Sequence, residues 1–189
     1  MNRSLTAAES TRQLPSWLRT WKGALLLTAF TAVCAQLSFR LPMTPVPVTM
    51  QVLAVLLSGL LLGRRWGMIS QAQYLLLGAM GAPIFALGHG GPAALFGPTG
   101  GYLWSYPLAA WIIGYIAPEG AKETISRQAA ACSAGMTIIY LSGCIWLGLE
   151  MRPMLSISQI FMMGAGWFLA WDAMKAAIAL SFLTFWRKV

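Results

Sequence analysis

Acidic side chains are scarce in this chain: Asp and Glu together number five in 189 residues. Glu9, Glu119 and Glu123 lie in polar segments and Glu150 at the end of an apolar run, so no pair of carboxylates is placed for acid–base work. Histidine occurs once, as His89, which excludes a zinc site built from histidines. The cysteines are Cys34, Cys132 and Cys144, all inside apolar stretches and without metal-ligand spacing. They read as small buried hydrophobes, a disulfide between two of them being the alternative. No Gly-Lys-Ser/Thr string is present, so the chain alone is not expected to hydrolyse ATP. With no nucleophile–base–acid set either, an enzyme is not expected, and neither a metal nor a cofactor is called for. Charged residues make up only 10% of the chain, against about 25% in an ordinary soluble domain. That is too little polar surface to cover a water-soluble core.

What the sequence has instead is apolar length. Hydrophobic residues make up 58%, in six runs at roughly 23–39, 50–63, 68–80, 100–117, 129–149 and 157–186. The expectation is an all-α integral membrane protein, a bundle of six transmembrane helices at 23–189 behind a polar segment at 1–22. The first run could be taken for a signal peptide, but no convincing cleavage site follows it, and it reads as a retained helix. Two runs, 50–63 and 68–80, fall short of the ~20 residues that span a bilayer. They form either a hairpin dipping into the membrane or two short spans. Arg64 and Arg65 between them favour two spans with a turn at the interface, because two guanidiniums in lipid cost at least ~2.5 kcal/mol each. The last run is too long to cross squarely, so its first turns lie outside the membrane or it tilts.

Thirteen basic residues against five acidic ones give a net charge of +8. They stand singly or in pairs between apolar runs and form no patch, so nucleic acid is not an expected partner. Six spans with both termini in the cytoplasm place ten of them inside and two, Arg40 and Arg152, outside. That bias fits a multi-pass protein of the inner (plasma) membrane with cytoplasmic termini. The outer connections are the unusual ones: LPMTPVPVT at 41–49 and GAPIFALGHGGPAALFGPTGG at 81–101 are apolar and rich in Pro and Gly. Irregular apolar backbone at membrane depth is tolerated where it is buried in protein or lines a cavity. Two such loops on one side suggest the walls of a pocket.

Asp172 and Lys175 form the one carboxylate–ammonium pair well inside an apolar run, and their i, i+3 spacing puts both on one helix face. They are either a neutralising pair that fixes helix packing or the polar end of a ligand pocket. Gln51, one turn beyond the stiff Pro42–Pro45–Pro47 segment, is aimed at the same place, unless that segment is an ordinary helix entry. In Gly97-Pro98-Thr99-Gly100-Gly101-Tyr102 the glycines permit close approach of backbone to a ligand, with Thr99 either facing it or capping the next helix. His89 serves as readily in loop packing as in ligand contact. Of the nine tryptophans, most are expected as interfacial anchors. Trp167 and Trp171 flank Asp172, and one of them is a candidate to stack on a ligand.

The strings PVPVTMQ at 45–51, YLLLGAMGAPIF at 74–85, GPTGGYL at 97–103 and WDAMK at 171–175 together resemble the BioY family, the biotin-binding S components of energy-coupling factor importers. The resemblance implies a substrate-binding membrane subunit that captures biotin from outside, with Asp172 and Lys175 in contact with it; Gln51, Thr99, Tyr102, His89 and Trp167 join them as candidate contacts from the reading of the residues above. It also implies a partner module of one membrane coupling subunit and two ATPases, docking through small residues of the first helix. Here those are Thr28, Ala29, Ala32 and Ala35, which depart from the family's Ala-x-x-x-Ala. Biotin's ureido ring, with N–H donors and a carbonyl acceptor, complements a carboxylate and an ammonium, and Arg40 is a weak candidate for its carboxylate. The competing expectations are a self-sufficient proton-coupled transporter of biotin or another small vitamin, and a membrane scaffold in which the Asp–Lys pair only packs.

Overall fold

The computed structural model describes residues 15–118, 124–151 and 154–188. Of the polar segment 1–22, residues 1–14 lie outside the described residues; the rest forms a 3-10 turn, Ser16–Arg19, and the start of the first helix. That helix, α1 (Trp21–Gln36), buries Gly23, Ala24, Leu27, Thr28, Thr31, Cys34 and Ala35. The spacing of three and four puts them on one face. Thr28 donates to the backbone carbonyl of Ser70 at 2.8 Å, and Ala35 is fully buried. Two of the four expected docking residues therefore face the chain's own bundle; Ala29 faces outward and Ala32 is half-buried. Small residues permit close packing within a chain as well as between chains, so residue size alone did not separate the two faces.

The helical stretch α2 (Gln51–Ala79) is broken at Gly63, whose φ of 73° and ψ of −179° belong to no helix. Gln51 and Tyr74 are 23 residues apart and would stand about 35 Å apart on a straight helix. Yet the Gln51 amide donates to the Tyr74 hydroxyl at 2.8 Å. The stretch is thus a hairpin of two antiparallel arms, 51–62 and 64–79. Gly67 lies against the first arm, and a Cβ there would come within 2.8 Å of the Ser58 carbonyl. Arg64 and Arg65 stand exposed at the turn, as expected of two spans joined at an interface. The shortness of the first arm has its reason in burial: every residue from 51 to 62 is buried. It is the axis of the bundle, walled by protein, and needs no lipid-matched length.

The chain leaves α1 through β1 (Ser38–Phe39), which pairs antiparallel with β2 (Val48–Thr49) and closes the proline-rich loop between them. After a glycine-rich segment and the short helix α3 (Pro92–Phe96) comes α4 (Gly100–Ile116), which packs on both α2 and α5 (Ile125–Met151). Gly101 and Gly114 permit this approach; a Cβ on Gly114 would lie 2.2 Å from the Arg64 backbone nitrogen. The final apolar run is divided. Helix α6 (Ile157–Phe161), opened by a Ser156/Gln159 capping box, passes into a π-helical turn, Met162–Gly166, before α7 (Leu169–Lys188). Twenty residues of α7 make about 30 Å, one membrane thickness, so α6 and the π turn take up the excess length.

The spans are α1, the two arms of α2, α4, α5 and the α6–α7 unit: an all-α bundle of six. Stretches Gln51–Ala79, Ile125–Met151 and Ile157–Trp186 are each long and apolar enough to cross a membrane. The first of these, being folded back at Gly63, crosses twice. The three cysteines are free thiols, two of them buried, so the disulfide alternative is not realised.

Candidate functional site

A cavity of about 710 Å3 opens between the proline-rich loop, the segment from Phe85 to Thr99, and the facing sides of α4, α5 and α7. Its walls are largely apolar, with Val46, Phe85, Leu103, Ile139 and Phe168 among them. Its deep end is polar and lies on α7. The burial of Phe168, Asp172, Ala176, Ala179 and Leu183 sets that helix's inward face, and Lys175 falls on it, so the pair points into protein rather than lipid.

Asp172 and Lys175 are 3% and 2% exposed. The Lys175 ammonium donates to Oδ1 of Asp172 and to the backbone carbonyl of Thr49 in β2. The Tyr140 hydroxyl, from the middle of α5, donates to Oδ2. An ammonium has three donors and a carboxylate about four acceptor positions. Among the described residues, one N–H and roughly two lone pairs are left without a partner, on side chains that line the cavity. This is the complement of a small neutral group that both donates and accepts. Beside it, Gln51 spends its amide N–H on Tyr74, whose hydroxyl donates to the Ile84 carbonyl at 3.0 Å, tying the first arm to the segment that forms the cavity's other wall.

The π turn is part of this construction. A π turn shifts the hydrogen-bond ladder and frees carbonyls for other donors. Met163 O accepts from the Thr44 hydroxyl of the proline-rich loop at 2.7 Å, and Gly164 O from the Tyr102 hydroxyl of α4 at 2.7 Å. The loop, α4 and the start of α7 are thereby fixed to one another around the cavity. On the opposite wall Leu87 holds a left-handed backbone, φ 60°, an unusual conformation for a residue with a side chain. Its N–H meets the Ser38 hydroxyl at 3.3 Å.

Of the ligand candidates from the sequence, Asp172, Lys175, Gln51, Thr99, Tyr102 and His89 line the cavity, as does Arg40. Trp167 does not. It is 44% exposed and turned to the outside, as is Trp171, whose ring meets Phe39 edge-on at 6.1 Å. The inward direction at this point of the chain belongs to Phe168. Thr99 makes no side-chain cap on α4; its carbonyl instead accepts from Tyr102 and Leu103. Tyr140, Tyr106 and Phe168 line the cavity without having been singled out. Tyr140 left one signal, as the only phenol in the run 129–149, where a hydroxyl at membrane depth needs a partner.

The model of the BioY family matches residues 5–189. A biotin transporter BioY of Thermotoga maritima is 38% identical over 154 residues, covering 82% of this chain and 87% of the relative. A probable biotin transporter BioY of Bacillus subtilis is 37% identical over 158 residues, covering 81% and 83%. Among solved structures, the S-component for biotin from an ECF-type ABC transporter superposes with a TM-score of 0.82 at 24% identity, covering 91% of this chain and 92% of that one, and shares its fold. With a family match over nearly its whole length and relatives above one-third identity, this chain belongs to the BioY family.

Proposed function

We propose that this chain is the high-affinity biotin-binding subunit of a vitamin uptake system. The observation that carries the reading is the buried Asp172–Lys175 pair at the deep end of a largely apolar cavity, with donors and acceptors left over. A ureido ring presents N–H groups to a carboxylate and a carbonyl to an ammonium, while a thioether ring and aliphatic tail suit the apolar walls. The named relatives, described as biotin transporters, support the same ligand. The chain performs no bond chemistry of its own. Import is driven by a partner module of a membrane coupling subunit and two ATPases. The superposed protein, an S-component of an ECF-type ABC transporter, supports this division of labour. Docking uses the outward side of α1, where Ala29 is exposed.

The orientation belongs to the same proposal: cell inner membrane, both termini cytoplasmic, cavity mouth outside. It is supported by Arg64 and Arg65 at the turn opposite the mouth. The test is calorimetric titration of biotin into the detergent-solubilised protein, with Asp172→Asn in parallel. Wild type binds tightly, and the variant loses about 1.5–3 kcal/mol, the worth of a hydrogen bond to a charged group. Folded wild type that takes up no biotin would remove the assignment.

A further inference from the structure

The two ends of the cavity differ in charge as well as in depth. The deep end carries Asp172 and Lys175, which together are neutral and almost fully buried. The other charged or basic side chains on its lining, Arg40 and His89, are exposed and stand on the two loops at the mouth. A ligand with one neutral and one anionic end therefore has only one favourable orientation. A carboxylate at the deep end would meet Lys175, but it would also lie beside Asp172 and leave a net negative charge out of water. A neutral ring at the deep end uses the spare donor and acceptors, and the carboxylate then rests at the mouth, near Arg40 and solvent.

The mouth is also sterically open. One side of it is built from Gly90, Ala93, Ala94 and Gly97, with little side chain to close over the ligand. The volume of about 710 Å3 is in the upper part of the ~300–1,000 Å3 range that holds drug-sized ligands, more than a bicyclic head with a short tail fills. From this geometry we infer that the site accepts biotin extended through its carboxyl group as an amide, such as biotinyl-lysine. The substrate class is then the ureido head with a variable tail, not the free acid alone. This inference rests on the biotin reading above.

The carboxyl group contributes through an ion pair exposed at a rim, which is worth about tenfold at most. The experiment is competition on the intact, detergent-solubilised protein: radiolabelled biotin is displaced by unlabelled biotin and by its N-butylamide, which carries no carboxylate. Displacement by the amide within about a hundredfold of free biotin is the expected result, with Arg40→Ala narrowing the gap between the two ligands. If biotin displaces the label and the amide fails to do so at a hundredfold excess or more, the carboxylate is held in a closed subsite and the inference is overturned. If labelled biotin does not bind at all, the functional proposal itself falls, an outcome visible before any amide is added.

Discussion

The ammonium of Lys175 on α7 donates to the backbone carbonyl of Thr49, 126 residues earlier, at the point where the proline-rich loop re-enters the bundle. One side chain thus neutralises Asp172 and anchors the strand that borders the cavity. Binding and packing roles of the pair separate experimentally. Lys175→Met leaves the Asp172 carboxylate buried with Tyr140 as its remaining side-chain partner among the described residues, at a cost of about 3–5 kcal/mol for a broken buried pair. The double variant Asp172→Asn/Lys175→Met removes the stranded charge and recovers much of that stability. Both lose biotin binding. Thermal unfolding in detergent, run beside calorimetry, reads the two effects. A double variant no more stable than the single one would show that the charge is not what destabilises it.

Tyr140 touches Asp172 from α5 and fixes which way the carboxylate faces. Tyr140→Phe keeps the ring in the cavity wall and removes only the hydroxyl. A hydrogen bond to a charged acceptor contributes about 1.5–3 kcal/mol, so biotin affinity falls by roughly tenfold to a hundredfold. Titration of the variant gives this directly. Unchanged affinity would mean that Lys175 orients the carboxylate by itself.

Much of the bundle was legible because membrane solvation imposes long apolar runs and collects charge at the turns. Arg64 and Arg65 marked the fold-back, although the chain needed Gly63, in a backbone region closed to other residues, to make it within one stretch of helix. The i, i+3 spacing of Asp172 and Lys175 was enough to put both on one face. What was not legible depends on partners remote in sequence. Tyr140 finds Asp172 across 32 residues, and Thr44 finds Met163 across 119. The π turn was hidden for the same reason: it inserts a phase shift into an apolar run without changing its composition. Inward direction at Trp167, by contrast, was open to the α-helical period: Phe168, four residues before Asp172, shares its face, whereas Trp167, five before, is turned about 140° away.

The two faces of this segment have a direct consequence at Trp167. The indole is exposed and lines no part of the cavity, so Trp167→Ala removes surface rather than a wall. Substitutions of this kind usually fall within about 0.5 kcal/mol, and biotin affinity stays within roughly twofold of wild type. Phe168→Ala is the contrasting case, since its ring is 6% exposed and forms part of the lining. It weakens binding and lowers the unfolding temperature together. A large loss of affinity from Trp167→Ala with Phe168→Ala neutral would reverse the assignment of the two faces.

The π turn is held to α4 through Tyr102, and Gly143 on α5 makes room for that contact. A Cβ at Gly143 would lie 2.1 Å from the Tyr102 ring, and 2.4 Å or less from two further ring atoms. A ring wedged in a packed core cannot yield by rotating about its own plane, so the whole side chain must shift. Gly143→Ala therefore pulls the Tyr102 hydroxyl away from the Gly164 carbonyl, leaving a carbonyl of the π turn unpaired. Overpacking costs about 1–3 kcal/mol and the orphaned carbonyl adds to it. Tyr102→Phe removes the same hydrogen bond without the clash and should cost only part of this. If the π turn places α7 for ligand, Tyr102→Phe weakens biotin binding more than it lowers stability, and Gly143→Ala weakens both. Equal affinity in Tyr102→Phe and wild type would reduce the Tyr102–Gly164 contact to a packing device.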